Sequence, residues 1–302
     1  MGPVWGIDLG GTKIEGVVLE DKESMKVVRR MRIPTEQEKG YIHILRQIHK
    51  LVETLTADIG VKPQKIGIGT PGTLDPLSQT MKNANTQCLN GKPFKKDLEN
   101  FFGFPIEMAN DANCFALAEA RMGVVKDVLP EAEVVFGVIL GTGVGGGLVV
   151  NGKVINGRQG IAGEWGHNFL DDSGGDCYCG KVGCVERIIS GTGLQRYYAE
   201  MSGTPLKLKD IVQRHYDNMD PIATQTIERL IHFFGKGIAN VINILDPDAI
   251  VIGGGVGNID LLYSEGVQEV EKHLFNNRLD TLFLKPKLGD SAGVFGAALL
   301  TT

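Results

Sequence analysis

No run of about 18 or more apolar residues occurs in this chain of 302 residues. A membrane-spanning helix is therefore not expected, and neither is a signal peptide, because a strand-like run already begins at Val4. An excess of one charge is lacking too. Charged residues make up 22% and the formal net charge is −5, which argues against a nucleic-acid groove or a basic membrane face and leaves small polar partners. No linker, low-complexity tract or long charge block divides the chain. Cysteine is scarce, five in all, and three of them cluster, which leaves an odd thiol and disfavours a disulfide framework. Cys88 and Cys114 are expected to stay reduced in a cytosol. The chain reads as globular, soluble and cytoplasmic, and its length favours two domains over one.

What is abundant is glycine, 41 residues against a usual frequency of roughly 7%. It concentrates at Gly10-Gly11, from Gly141 to Gly147 and from Gly253 to Gly255, where bare backbone can approach a ligand. Val4 to Leu9 and Lys13 to Glu20 read as a hairpin with the tip Gly10-Gly11-Thr12. Backbone N–H groups at such a tip can point at phosphate oxygens, with Thr12 and Lys13 adding a hydroxyl and a positive charge. Asp8 at the strand end could hold a metal ion through water. Glycine pairs also make ordinary hairpins. An internal repeat strengthens the phosphate reading: Gly6 to Gly10 aligns with Gly137 to Gly141 at an offset of 131 residues, and the same offset pairs Gly16 with Gly147. Asp8 corresponds to Ile139, so only the first copy can attend a metal. The second tip, with Thr142, can contact other phosphate oxygens.

The segment Gly163 to Glu186, GEWGHNFLDDSGGDCYCGKVGCVE, offers His167, Cys177, Cys179 and Cys184 within one glycine-rich loop. One imidazole and three thiolates match the ligand set of a structural Zn²⁺. Glu164 and Glu186 bracket the loop and suit a polyhydroxylated ligand, since carboxylates accept strongly from hydroxyls. The plainer alternative is a zinc-stapled surface loop with solvated glutamates.

Between these motifs, Ile44, Ile48, Leu51, Val52 and Leu55 predict a helix stopped by Gly60. A strand from Lys65 runs into the turn Gly69-Thr70-Pro71-Gly72, and Asn83, Asn85 and Asn90 follow. Their amides can serve sugar hydroxyls, and equally can be turn residues. Asn110-Asp111 opens a helix that Gly123 closes, so Asp111 lies where the helix dipole favours its ionised form. Either residue could also be the N-cap alone. A long buried helix is predicted to end at Asp246-Pro247, a strand at Ile252 leads into Gly253-Gly254-Gly255, and the tail from Gly289 to Leu300 reads as a last helix.

Taken in order, GIDLGGTK, ANDANC, GEWGHN with CYCGKVGCVE, and VIGGGV resemble the ROK sugar kinases, of the actin-like and hexokinase-like ATPase superfamily, over nearly the whole chain. The resemblance implies two actin-like, ribonuclease H-like α/β domains with mixed sheets flanking a central cleft. Residues 1–118 with the tail helix 290–302 would form the smaller, and 119–289, with the zinc loop, the larger. It further implies Asp111 as the general base, and Gly72, Asn85, Asn110, Glu164, His167 and Glu186 as sugar contacts, with His167 offering one ring nitrogen to zinc and the other to sugar. Gly10, Gly11, Thr12, Lys13 and Thr142 would be phosphate contacts, Asp8 a Mg²⁺ partner through water, and Gly254 and Gly255 the nucleoside wall. The activity expected is ATP-dependent phosphorylation of the 6-hydroxyl of a hexose by a homodimer, with structural Zn²⁺ and Mg²⁺-ATP. Within the family, NANTQCLNGKPFKKDLE resembles the fructokinase and mannokinase branch, pointing to fructose and then mannose. A glucokinase or an N-acetylhexosamine kinase is the alternative. A sugar-binding regulator of the same family would need an N-terminal DNA-binding segment, for which the strand at Val4 leaves no room.

Overall fold

In the computed structural model, which describes residues 2–302, the chain order is β1 (Val4–Leu9), β2 (Lys13–Leu19), β3 (Val27–Pro34), α1 (Tyr41–Ile59), β4 (Ile66–Thr70), β5 (Thr73–Leu74), β6 (Met81–Lys82), α2 (Phe94–Phe102), β7 (Ile106–Asn110), α3 (Asp111–Arg121) and α4 (Val124–Val128). It continues with β8 (Val134–Leu140), β9 (Val144–Val150), β10 (Lys153–Val154), α5 (Val185–Ile189), α6 (Gly191–Ser202), α7 (Leu208–Tyr216), α8 (Pro221–Leu245), β11 (Ala249–Gly253), α9 (Glu265–Glu271), β12 (Leu282–Leu284) and α10 (Ala292–Leu299). The fold is α/β with mixed sheets. No helix among the described residues is long and apolar enough to cross a membrane.

Two five-stranded sheets share one design. Their orders are β3-β2-β1-β4-β7 and β10-β9-β8-β11-β12. In the first, β1 pairs antiparallel with β2 and parallel with β4; in the second, β8 pairs parallel with β11, the counterpart of β4. The offset of the sequence repeat holds to the residue: β1 ends at Leu9 and β8 at Leu140, and β2 spans Lys13–Leu19 as β9 spans Val144–Val150.

The chain divides into two compact units, residues 1–128, 147–162 and 287–302, and residues 129–146 and 163–286. In the first, α1 buries Ile44, Ile48, Leu51, Val52 and Leu55, and Gly16 on β2 admits it, since a Cβ there would meet Leu55 Cδ1 at 2.8 Å. Gly147, one repeat later, admits the backbone of α3 at Ala112 in the same way. α10 lies flush on the sheet because Gly6 and Gly67 present bare backbone to Ala297 and Ala298, and Gly296 does the same toward Cys114. In the second unit, α8 is capped by Asp220, whose carboxylate accepts the Ile222 and Ala223 amides at 2.9 and 3.2 Å. Pro221 stands in its first turn, where a missing N–H costs nothing.

Candidate active site

In the first unit, parallel strands β1, β4 and β7 end side by side, with Asp8 opposite Gly69 and Thr70 opposite Asn110. Ligands of α/β sheets gather at the carboxyl ends of such strands. Gly293 leaves room for the Asp8 carboxylate, and Gly69 adjoins it. A Cβ on Gly293 would stand 2.9 Å from Oδ2, and one on Gly69 would stand 3.4 Å from Oδ1. Burial pushes the Asp8 carboxyl up to about 6, with repulsion from Asp111 and Glu15 adding to it and Lys13 and Arg32 opposing. A half-buried carboxylate with other acids facing it is suited to a cation, so the position fits the Mg²⁺ role.

The tip between β1 and β2 is closed by Gly10 N–H donating to the Lys13 carbonyl at 3.0 Å. Thr35, just past the end of β3, anchors it, its N–H donating to the Thr12 carbonyl at 3.0 Å and its Oγ1 to the Gly10 carbonyl at 2.7 Å. Neither Thr35 nor Glu15 stood out in the sequence. Glu15, cross-strand partner of Asp8, is 1% exposed and paired with Arg30 and, at 2.8 Å, with Arg32. The cluster of arginines in VVRRMRIP on β3 was the available signal.

Asn110 closes β7 and caps α3, its Oδ1 accepting the Asn113 amide at 2.8 Å. Asp111, exposed at the first helical position, accepts the Ala112 amide at 2.8 Å. Gly72 lies against Ala84, where a Cβ would come within 2.6 Å of its Cα, and the Asn85 amide donates to Pro71 O at 3.3 Å. Gly72 and Asn85 are thus brought together near the end of β4.

In the second unit, the tip between β8 and β9 is closed by Gly141 N–H donating to Gly143 O at 3.0 Å, and Thr192 Oγ1 donates to the Thr142 carbonyl at 2.7 Å. Gly254, at φ +83°, lies so near Leu140 O that any Cβ would overlap it. Thr142 and the Gly254-Gly255 turn therefore gather at the ends of β8 and β11. Glu186 reaches this tip as well, its Oε2 accepting the Val144 amide at 2.9 Å.

His167, Cys177, Cys179 and Cys184 converge, their ligand atoms all within 4.8 Å of one another. Cys179 Sγ and Cys184 Sγ are 3.6 Å apart, and Cys177 Sγ is 3.7 Å from His167 Nδ1. A tetrahedron with bonds of about 2.3 Å has edges of roughly 3.8 Å, so the spacing and the donor set both fit Zn²⁺. His167 Nε2 stands 2.9 Å from the Tyr178 hydroxyl, while Nδ1 is the ring nitrogen turned to the cysteines. The loop is anchored by buried Trp165, whose Nε1 donates to Gly237 O in α8 at 3.2 Å. Glu164 sits at the start of the short helical turn Trp165–His167, half-buried.

The ROK family model matches residues 4–302. An N-acetyl-D-glucosamine kinase of Pasteurella multocida is 37% identical over 98% of both chains. Seven further bacterial relatives of that name are 36–38% identical, each with 98% of both chains covered. Among solved structures, a ROK hexokinase from Thermus thermophilus is 30% identical with a TM-score of 0.87, covering 99% of this chain and 97% of its own. A ROK glucokinase from Streptomyces griseus, in complex with glucose and AMPPNP, is 29% identical with a TM-score of 0.76 and 98% of each chain covered.

These relatives overturn the fructokinase and mannokinase branch expected from the Asn-rich run. The run is spent on its own loop: Asn90 Oδ1 accepts the Ala84 amide at 2.9 Å, its Nδ2 donates to Ala84 O at 3.0 Å, and Asn83 holds φ +57°. Turn chemistry accounts for Asn83 and Asn90. With its motifs, its repeat and its full-length matches in agreement, the chain belongs to the ROK family.

Proposed function

We propose that this ROK-family sugar kinase transfers the γ-phosphoryl group of ATP to the 6-hydroxyl of N-acetyl-D-glucosamine. The observation that carries the reading is Asp111: an exposed carboxylate on the first residue of α3, at the end of β7, which one strand, β4, separates from the strand that carries Asp8. The sugar is supported by the relatives named for that substrate, and the donor by the nucleotide analogue bound to the glucokinase.

In the proposed reaction Asp111 accepts the proton of O6 as that oxygen bonds to the γ-phosphorus and the bond to the ADP oxygen breaks. Phosphoryl transfer passes through a loose transition state, so alignment and charge neutralisation outweigh base strength. Asp111 therefore has a modest task. Gly10, Gly11, Thr12, Lys13 and Thr142 are the proposed phosphate contacts, and Gly254 and Gly255 the nucleoside contacts. Gly72, Asn85, Asn110, Glu164, His167 and Glu186 are the proposed sugar contacts. Asp8 would hold Mg²⁺ through water, and that ion when bound neutralises charge on the phosphate oxygens. The three thiolates and His167 would hold Zn²⁺, which stiffens the segment that carries Glu164 and Glu186. A cytoplasmic homodimer is the proposed working form, supported by the family resemblance.

Incubation with ATP and N-acetyl-D-glucosamine, followed by ³¹P NMR, tests this. A phosphomonoester on C6 with stoichiometric ADP is expected. Unconsumed ATP, or phosphate on C1, would refute it.

A further inference from the structure

The second unit carries another constellation of ligand atoms, remote in sequence from the cysteine loop. His232 lies midway along α8, Glu269 lies on α9, and His273 sits in the turn that follows, its N–H donating to Val270 O at 3.0 Å. Glu269 and His273 are four residues apart, the spacing that puts two side chains on one helical face. One oxygen, Glu269 Oε1, faces both imidazoles, at 3.0 Å from His232 Nδ1 and 3.3 Å from His273 Nε2, and all three ligand atoms lie within 4.8 Å. Lys272 engages the other oxygen, Oε2, at 2.6 Å.

The helices meet here by design of the sequence. Gly235, one turn past His232, lets Glu269 press against the α8 backbone; any Cβ there would overlap the Glu269 side chain. A glycine inside a helix costs about 1 kcal/mol relative to alanine, and the contact it admits is the one that presents Glu269 to His232. The segment beyond His273 is pinned by Asn243, whose Oδ1 accepts the Phe275 amide at 3.0 Å.

We propose that His232, Glu269 and His273 form a second metal site, for a divalent transition ion, that ties α8 to α9. Nitrogen and oxygen ligands at about 2.0–2.1 Å from Zn²⁺ stand roughly 3.3 Å apart in a tetrahedron, close to both observed separations. Two imidazoles with one carboxylate select Zn²⁺, Ni²⁺, Co²⁺ or Cu²⁺ over Mg²⁺ or Ca²⁺, which take all-oxygen sets. Without metal each imidazole donates its N–H to Oε1. With metal the facing nitrogens present lone pairs and the protons sit on the far ring nitrogens. His232 is exposed and His273 half-buried, so the ion can enter and water can complete its sphere. The site does not depend on the proposed kinase reaction.

Full-length protein preloaded with one equivalent of Zn²⁺ is titrated with Ni²⁺ by calorimetry, alongside H232Q, H273Q and the double variant. Glutamine still donates to Glu269 but is a poor ligand. Wild type is expected to bind one Ni²⁺ per chain, the single variants at least about 10-fold more weakly, and the double variant none. Cu²⁺ EPR of wild type should show two-nitrogen hyperfine splitting that the double variant lacks. Unchanged Ni²⁺ binding in the double variant, or no Ni²⁺ binding by folded wild type, would overturn the site.

Discussion

Asn110 accepts the Asn113 amide at 2.8 Å and so caps α3, while its neighbour Asp111 occupies the first helical position. The cap and the proposed base are different side chains. Helix stability and proton acceptance can therefore be separated by mutation.

Asp111→Asn keeps size and polarity but cannot take a proton at neutral pH. It should lower kcat by about 10²–10⁴-fold and shift Tm by no more than about 2 °C. Turnover measured beside a thermal melt checks this. A large loss of Tm would mean that Asp111 is chiefly structural.

Asp8 links stability to pH. Its carboxyl is raised from 3.8 to about 6 in the folded protein, so between those values the native state binds more protons than the unfolded one. Stability contributed by this group is present at low pH, falls as pH rises through the window of about 4 to 6, and is absent above it. Asp8→Asn, which cannot ionise, should match wild-type unfolding free energy near pH 4 and exceed it at pH 7 by an amount on the order of 3 kcal/mol in denaturant titrations, while activity drops. A stability margin that does not vary between pH 4 and 7 would contradict the burial argument.

The cysteine loop should hold one Zn²⁺ per chain. Cys184, fully buried at the start of α5, is the ligand whose loss should matter most. Cys184→Ser is expected to release the ion on dialysis and to reduce kcat/KM for the sugar about 10–100-fold. Asp8→Asn should retain the ion. Elemental analysis of both variants decides it, and full zinc content in the serine variant would exclude the thiol from the coordination sphere.

Much of the fold was legible because glycine and cysteine leave positional marks. The 131-residue offset marked both hairpin tips, since a tip glycine and a mid-strand glycine recur at fixed spacing, and one histidine with three clustered cysteines in a glycine-rich loop pointed to the four residues that converge. What glycine hides is its partner. Gly6, Gly67 and Gly296 announce close approach but not that α10 is the approaching element. The asparagines misled for the converse reason, because one amide can serve a ligand or its own loop, and Asn90 serves Ala84. β3 escaped notice because an edge strand bearing Arg29, Arg30 and Arg32 lacks clear apolar alternation, although those arginines reach Asp58 and the buried Glu15. Glu186 suggested a sugar contact by its position after the last cysteine. Its bond to the Val144 amide depends on tertiary structure that spacing does not encode.

The most direct measurement is kcat/KM with ATP for N-acetyl-D-glucosamine, glucose, mannose and fructose on one enzyme preparation. The highest value is expected for N-acetyl-D-glucosamine, at least about 10-fold above the others, the scale that one well-matched polar group supplies. A higher value for fructose, mannose or glucose, or no turnover of any sugar by zinc-replete protein, would contradict it.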